Sequence, residues 1–173
     1  MNKLALALSA ALSLGAVASA SAAEATVNFT GEIKAMSCSA TINGSGTTLT
    51  LPTVFAHEIN DDRAPRQPFT IQFGEAGKLC PPADYTFTFA ESDLDSKGRL
   101  TNKASSGAAT NVVLAVGNTS GDLDLGGHSH DESLTASGTI SIPLQARFAK
   151  ADSADVTEGS FSAPLLINVD YTP

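Results

Sequence analysis

The chain has 173 residues, 18 Asp and Glu against 10 Lys and Arg, a net charge of −8, two cysteines, three histidines and no tryptophan. The acidic balance argues against nucleic acid or an anionic membrane surface as partner, and the length suits one domain with a substantial core. Two cysteines are too few for a structural zinc centre. No histidine stands beside an evident nucleophile, and no G-x-S-x-G elbow, phosphate loop or dinucleotide fingerprint occurs, so the reading is of a protein that is not an enzyme and carries no cofactor.

Met1-Asn2-Lys3 is a short basic start, Leu4 to Ala18 is nearly all apolar, and Ala18 to Ala23 offers small residues for a peptidase. This is a secretory signal peptide, residues 1–23. The apolar run is short and rich in Ala and Ser, and no later segment approaches the roughly 20 apolar residues of a membrane span, so an exported protein without direct membrane insertion is expected. Cleavage would leave Glu24 to Met36, EATVNFTGEIKAM, at the new N-terminus. There Val27, Phe29, Gly31, Ile33 and Ala35 alternate with Asn28, Thr30, Glu32 and Lys34, the period of two of a strand with one apolar face. Periodicity leaves open whether it fills its own domain or another. Cys38 and Cys80 both follow the leader, where an oxidising compartment favours a disulfide that stabilises by roughly 4 kcal/mol on chain-entropy grounds.

The remainder, residues 37–173, reads as one mostly β domain with no sustained helical period. Thr47 to Leu51 is a strand stopped by Pro52, and His57 to Pro68 is a charged surface connection. Phe69, Ile71 and Phe73 alternate before Gly74; Tyr85, Phe87 and Phe89 alternate with Thr86 and Thr88, the clearest interior strand. Asp95-Ser96-Lys97-Gly98 is a turn, and Asn111 to Val116 a β-branched run. Gly126 to Ser133, GGHSHDES, reads as a solvated loop. Thr139 to Ala149 is a longer strand whose Pro143 suggests an edge or a bulge. Ser160 to Tyr171 is the longest alternating run, with Ala163, Leu165, Ile167, Val169 and Tyr171 on one face. Short strands at this spacing point to a sandwich of two antiparallel sheets, immunoglobulin-like in architecture.

Two metal possibilities are weaker than their plain alternatives. His128 and His130, with His57, lack a further ligand at fixed spacing. Asp93 to Gly98 starts like a calcium loop, but Lys97 occupies a ligand position and Ala104 stands where a bidentate carboxylate should close the site. No metal is expected.

Several landmarks together resemble the fimbrial subunits of the chaperone-usher pathway, close to type 1 and F17-like major pilins. They are Thr26-Val27-Asn28-Phe29-Thr30-Gly31-Glu32-Ile33 followed by Cys38; Leu51-Pro52-Thr53-Val54 and Pro68-Phe69-Thr70-Ile71 before Cys80; Ala109-Thr110-Asn111-Val112; Ile142-Pro143-Leu144-Gln145-Ala146-Arg147-Phe148; and a terminal strand with Gly159 and Tyr171. The likeness spans the mature chain, departing from the family pattern in the two residues, Thr172 and Pro173, that follow Tyr171.

The resemblance implies an all-β, incomplete immunoglobulin-like sandwich lacking its final strand, with residues 24–36 as a donor-strand extension. Val27, Phe29, Gly31, Ile33 and Ala35 would enter a neighbour's groove. Leu165, Ile167, Val169 and Tyr171 would flank the subunit's own groove, and the Pro173 carboxylate would meet a chaperone's basic anchor. The implied partners are neighbouring pilin subunits in a head-to-tail homopolymer, a periplasmic chaperone and an outer-membrane usher, with passage through the periplasm to the cell surface, where the fimbria supports adhesion. The alternatives are a minor adaptor or terminator of the same pilus, or a secreted immunoglobulin-like ligand-binding module.

Overall fold

In β2 (Gln67–Phe73) from Phe69 on, in β3 (Ala83–Phe89) and in β8 (Ile140–Lys150) as far as Ala146, every second side chain is buried, the pattern of strands with one face on a shared core. The computed structural model describes residues 38–173; the expected signal peptide and the Glu24 to Met36 strand lie outside the described residues. The other strands are β1 (Ala40–Ile42), β4 (Leu100–Thr101), β5 (Val112–Asn118), β6 (Gly121–Asp122), β7 (Ser129–Leu134) and β9 (Ile167–Thr172). One sheet runs β1-β2-β8-β5-β4 with β6 on β5, the other β7-β3-β9, and every strand pairing within them is antiparallel.

The sheets meet through Phe69, Ile71, Phe73, Ile140, Ile142 and Leu144 from one and Tyr85, Phe87 and Phe89 from the other. The Phe73 and Phe87 rings lie 4.6 Å apart, and each such burial is worth roughly 1.5–3 kcal/mol. Tyr85 is buried too, its hydroxyl donating to the Pro81 carbonyl at 2.6 Å; burial, then the nearby Tyr171, pushes its phenol up.

The domain has two distinct poles. At one, Cys38 is bonded to Cys80, Cys80 exchanges backbone hydrogen bonds with Gly138 at 2.8 and 2.9 Å, and β9 ends opposite Asp84. At the other, the short helix α1 (Ala56–Asn60) buries Ile59 against Ala64, Val112 and Val156, beside the Val112–Lys150 end of the β5–β8 ladder. This helix interrupts what reads in the sequence as a plain surface connection from His57 to Pro68.

Two further expectations are corrected. The strand carrying Pro143 is not an edge: β8 lies between β2 and β5. Pro143 faces Thr70, whose N–H and C=O both bond Asn43 on the opposite side at 2.8 Å, and the β5 ladder stops at the Gly117–Gln145 pair. The missing proline N–H therefore costs no ladder bond. GGHSHDES is not a loop throughout, because Ser129–Leu134 forms edge strand β7 against β3. Its charges protect an exposed edge from unwanted pairing. His128 and His130 lie over Phe89 and Phe87, ring centroids 6.1 Å apart in each pair.

Arg147 of β8 ties three segments together, pairing with Asp62 at 2.5 Å and with Asp122 of β6 at 2.7 Å, while Arg66 also holds Asp122 at 2.7 Å. Burial pushes the Asp122 carboxyl up, but the hydrogen bonds and charges of Arg147 and Arg66 outweigh it and hold the group below the usual carboxylate range. The turn at Asp95 is closed the same way: its carboxylate accepts from Lys97 and Arg99 N–H groups at 2.9 Å, and the Arg99 guanidinium continues to the carbonyls of Lys150 and Ala151.

Gly159 has φ +153°, and a Cβ there would collide with the backbone of Gly107 and Ala109. Gly159→Ala should cost about 2 kcal/mol or more, lowering the thermal midpoint. Because its folded pKa is lowered, ionised Asp122 contributes stability at pH values above the ordinary carboxylate pKa of about 3.9 and loses it as pH falls through the lower folded value. Asp122→Asn should therefore destabilise by about 1–2 kcal/mol at pH 7, with the gap to wild type closing in denaturant titrations as pH falls below the ordinary carboxylate range.

Candidate functional site

Where one edge of the sandwich would be closed by a strand, there is instead an apolar groove of about 1000 Å³. Its floor is Phe69, Ile71, Leu100, Leu114, Val116 and Ala146, residues supplied by β2, β4, β5 and β8 with their core faces turned the same way. Leu49, Leu51 and Val54 stand along one lip, and Phe161, Ala163, Leu165 and Ile167 along the other. All seven are only partly buried although they pack on core clusters.

The backbone of both lips is extended yet underpaired. In the first, the N–H and C=O groups from Thr47 to Val54 make no backbone hydrogen bond among the described residues. This is the segment expected as a strand from Thr47 to Leu51; it is not a paired strand, having no strand beside it among the described residues. In the second lip, Ser160 accepts from Ala109 at 3.0 Å and Ser162 from Lys103 at 2.7 Å, and Leu166 accepts from Ala90 at 3.0 Å. The intervening Phe161, Ala163 and Leu165 turn their backbone groups the other way, toward the groove, and have no partner among the described residues. Buried or half-buried backbone groups are normally paired, so two facing rows without partners define a slot for one more strand.

The expected groove-flanking residues divide. Leu165 and Ile167 line the groove; Val169 packs on the core farther along β9; Tyr171 is 46% exposed, 6.4 Å from Tyr85. Pro173 is exposed beyond the end of β9. Val27, Phe29, Gly31, Ile33 and Ala35 lie outside the described residues. Periodicity missed the first lip as part of the site: Leu49 and Leu51 signal a strand, and nothing local signals that its partner is absent. The histidines do not converge, since His57 in α1 stacks on Phe55 at 5.7 Å while His128, just before β7, and His130, in β7, pack over Phe89 and Phe87 of β3. Among the described residues no group of three or more His, Cys, Asp or Glu could hold a metal. No helix among them is long and apolar enough to cross a membrane.

The family model described as "Fimbrial protein" matches residues 27–172. Among solved structures, the subunit of a chaperone-usher pilus studied for rod uncoiling is similar at TM-score 0.54 and 17% identity, over 86% of this chain and 96% of that one. The P pilus rod subunit PapA is similar at TM-score 0.55 and 16% identity, over 79% of this chain and 99% of that one. No curated protein matches. At such identities the structural likeness speaks for the fold, whereas the family model covers most of the sequence. An all-β domain with an open edge and a family match of this extent lead to one conclusion: the chain belongs to the fimbrial protein family, as a structural, non-enzymatic pilus subunit.

Proposed function

We propose that the groove receives the N-terminal strand of another copy, so that subunits polymerise head to tail by donor-strand exchange. The observation that carries this is the pair of lips with unpaired backbone facing each other across an apolar floor. A strand laid between them gains hydrogen bonds on both sides and buries alternate side chains, the physics of strand addition. Glu24 to Met36 has the matching pattern. Val27, Phe29, Ile33 and Ala35 enter the groove, with Gly31 where only a small group fits; burying Val, Phe and Ile contributes roughly 1.5–3 kcal/mol each.

An open groove of this kind is an aggregation hazard, which gives a reason for a protecting partner before assembly. In this reading a periplasmic chaperone lends a strand first, with the Pro173 carboxylate at its basic anchor and Leu165, Ile167, Val169 and Tyr171 on the strand it grips. At an outer-membrane usher the next subunit's extension then takes the chaperone's place. Family membership implies a place in an extracellular pilus.

Donor and acceptor roles separate by mutation. Phe29→Asp, expressed with the chaperone, should fold and accept a strand but fail to extend, abolishing fibres in electron micrographs. Leu165→Asp should weaken acceptance of any strand, so it should co-purify with the chaperone less than wild type does and lower fibre yield. Normal fibres from Phe29→Asp would refute the reading.

A further inference from the structure

Large apolar side chains stand exposed at both poles, one at the mouth of the groove and one away from it. Phe55, 66% exposed, precedes α1. Leu79, 44% exposed, lies next to Cys80. We infer that they form a second contact between successive subunits, in which Leu79 and Lys78 of one copy dock on Phe55 and Glu158 of the next. The inference rests on the donor-strand reading above and adds to it a contact between the groove's mouth and the disulfide pole of the donor.

The argument is one of reach and direction. Cys80 is bonded to Cys38 with Cα atoms 4.8 Å apart, so Leu79 travels with the root of the N-terminal extension. From Ala35, the last side chain assigned to the groove, to Cys38 is three residues, a reach of about 10 Å. Wherever the extension leaves its acceptor, Leu79 and Lys78 must therefore arrive close to that mouth.

Direction selects the mouth. The second lip and β9 run from the α1 pole toward the disulfide pole. A donor running parallel to them would bring its root to the disulfide pole of the acceptor, where the acceptor's own Cys38 begins its extension. An antiparallel donor brings its root to the α1 pole, leaving each disulfide pole free, and so yields an open, non-closing filament. At that end of the groove the lining includes Phe55 and Glu158. Phe55 is further braced by His57 at 5.7 Å, and its N–H is held by the Glu58 carboxylate at 2.9 Å. The mouth thus offers an apolar ring beside acidic side chains.

The arriving surface is complementary, Leu79 with a lysine beside it. Among the described residues Lys78 pairs only with Glu75, at 3.5 Å and well exposed, which leaves its ammonium available to Glu158. Exposed ion pairs add little affinity but fix orientation, while the Leu79–Phe55 contact removes apolar surface from water.

The test places the photo-crosslinker p-benzoylphenylalanine at position 79 of the full chain, co-expressed with its chaperone and usher. Irradiated fibres should give a heat- and detergent-resistant ladder, and the cross-linked peptides should map to residues 55–58 and 158 of a second copy. Combining the label with Phe29→Asp should abolish the ladder, because the poles meet only after insertion. In the label-free chain, Lys78→Glu should make fibres more readily dissociated by heat, and adding Glu158→Lys should restore them. Assembled fibres that give no ladder, or one mapping elsewhere, would overturn this contact while the Phe29→Asp result still upholds donor-strand exchange. Fibres persisting with Phe29→Asp would overturn both.

Discussion

Two backbone rows that face each other without hydrogen-bond partners among the described residues, Thr47 to Val54 and the alternate residues Phe161, Ala163 and Leu165, are the constraint on which the rest depends. A β-sandwich ordinarily satisfies such groups by pairing them within its own sheets. Here the floor between them is built from the same core faces that stabilise the domain, so the groove is the core itself, left open along one edge. In the donor-strand reading, folding and assembly would be coupled through one set of residues: Ile71, Leu114 and Val116 belong to the interior and also line the groove.

The rest of the architecture supports an open edge. β8 pairs along both sides and spans the larger sheet. β3 does the same for the smaller one. The disulfide ties the start of the described chain to the segment entering β3, and Arg147 and Arg99 bind loops to β8 and its end through carboxylates and carbonyls. These ties lie away from the groove, so the lips can remain underpaired without loosening the two ladders that hold the sandwich.

Much of this was legible in the residues. Tyr85, Phe87 and Phe89 alternate so strongly that β3 could be placed in the interior, and the export signal pointed to the Cys38–Cys80 bond found in the structure. What failed did so for identifiable reasons. Pro143 misleads because proline costs a strand only where an N–H is needed, and ladder phase is set by Thr70 and Asn43, distant in sequence. The polar letters of Ser129 to Leu134 suggest a loop because an exposed edge strand is guarded by charge rather than marked by apolar alternation. The groove was implied by family resemblance, but its first lip was not, since Leu49 and Leu51 read the same whether their strand has a neighbour or lacks one.

The most direct measurement is amide hydrogen exchange at Phe161, Ala163 and Leu165 and at Thr47 to Leu51, Thr53 and Val54, compared between assembled fibres and the subunit freed of its chaperone. If an incoming strand completes the sandwich, exchange at these amides should slow by orders of magnitude on assembly, while β3 and β8 amides, already paired, change little. Equal exchange at the lips in both states would contradict the account.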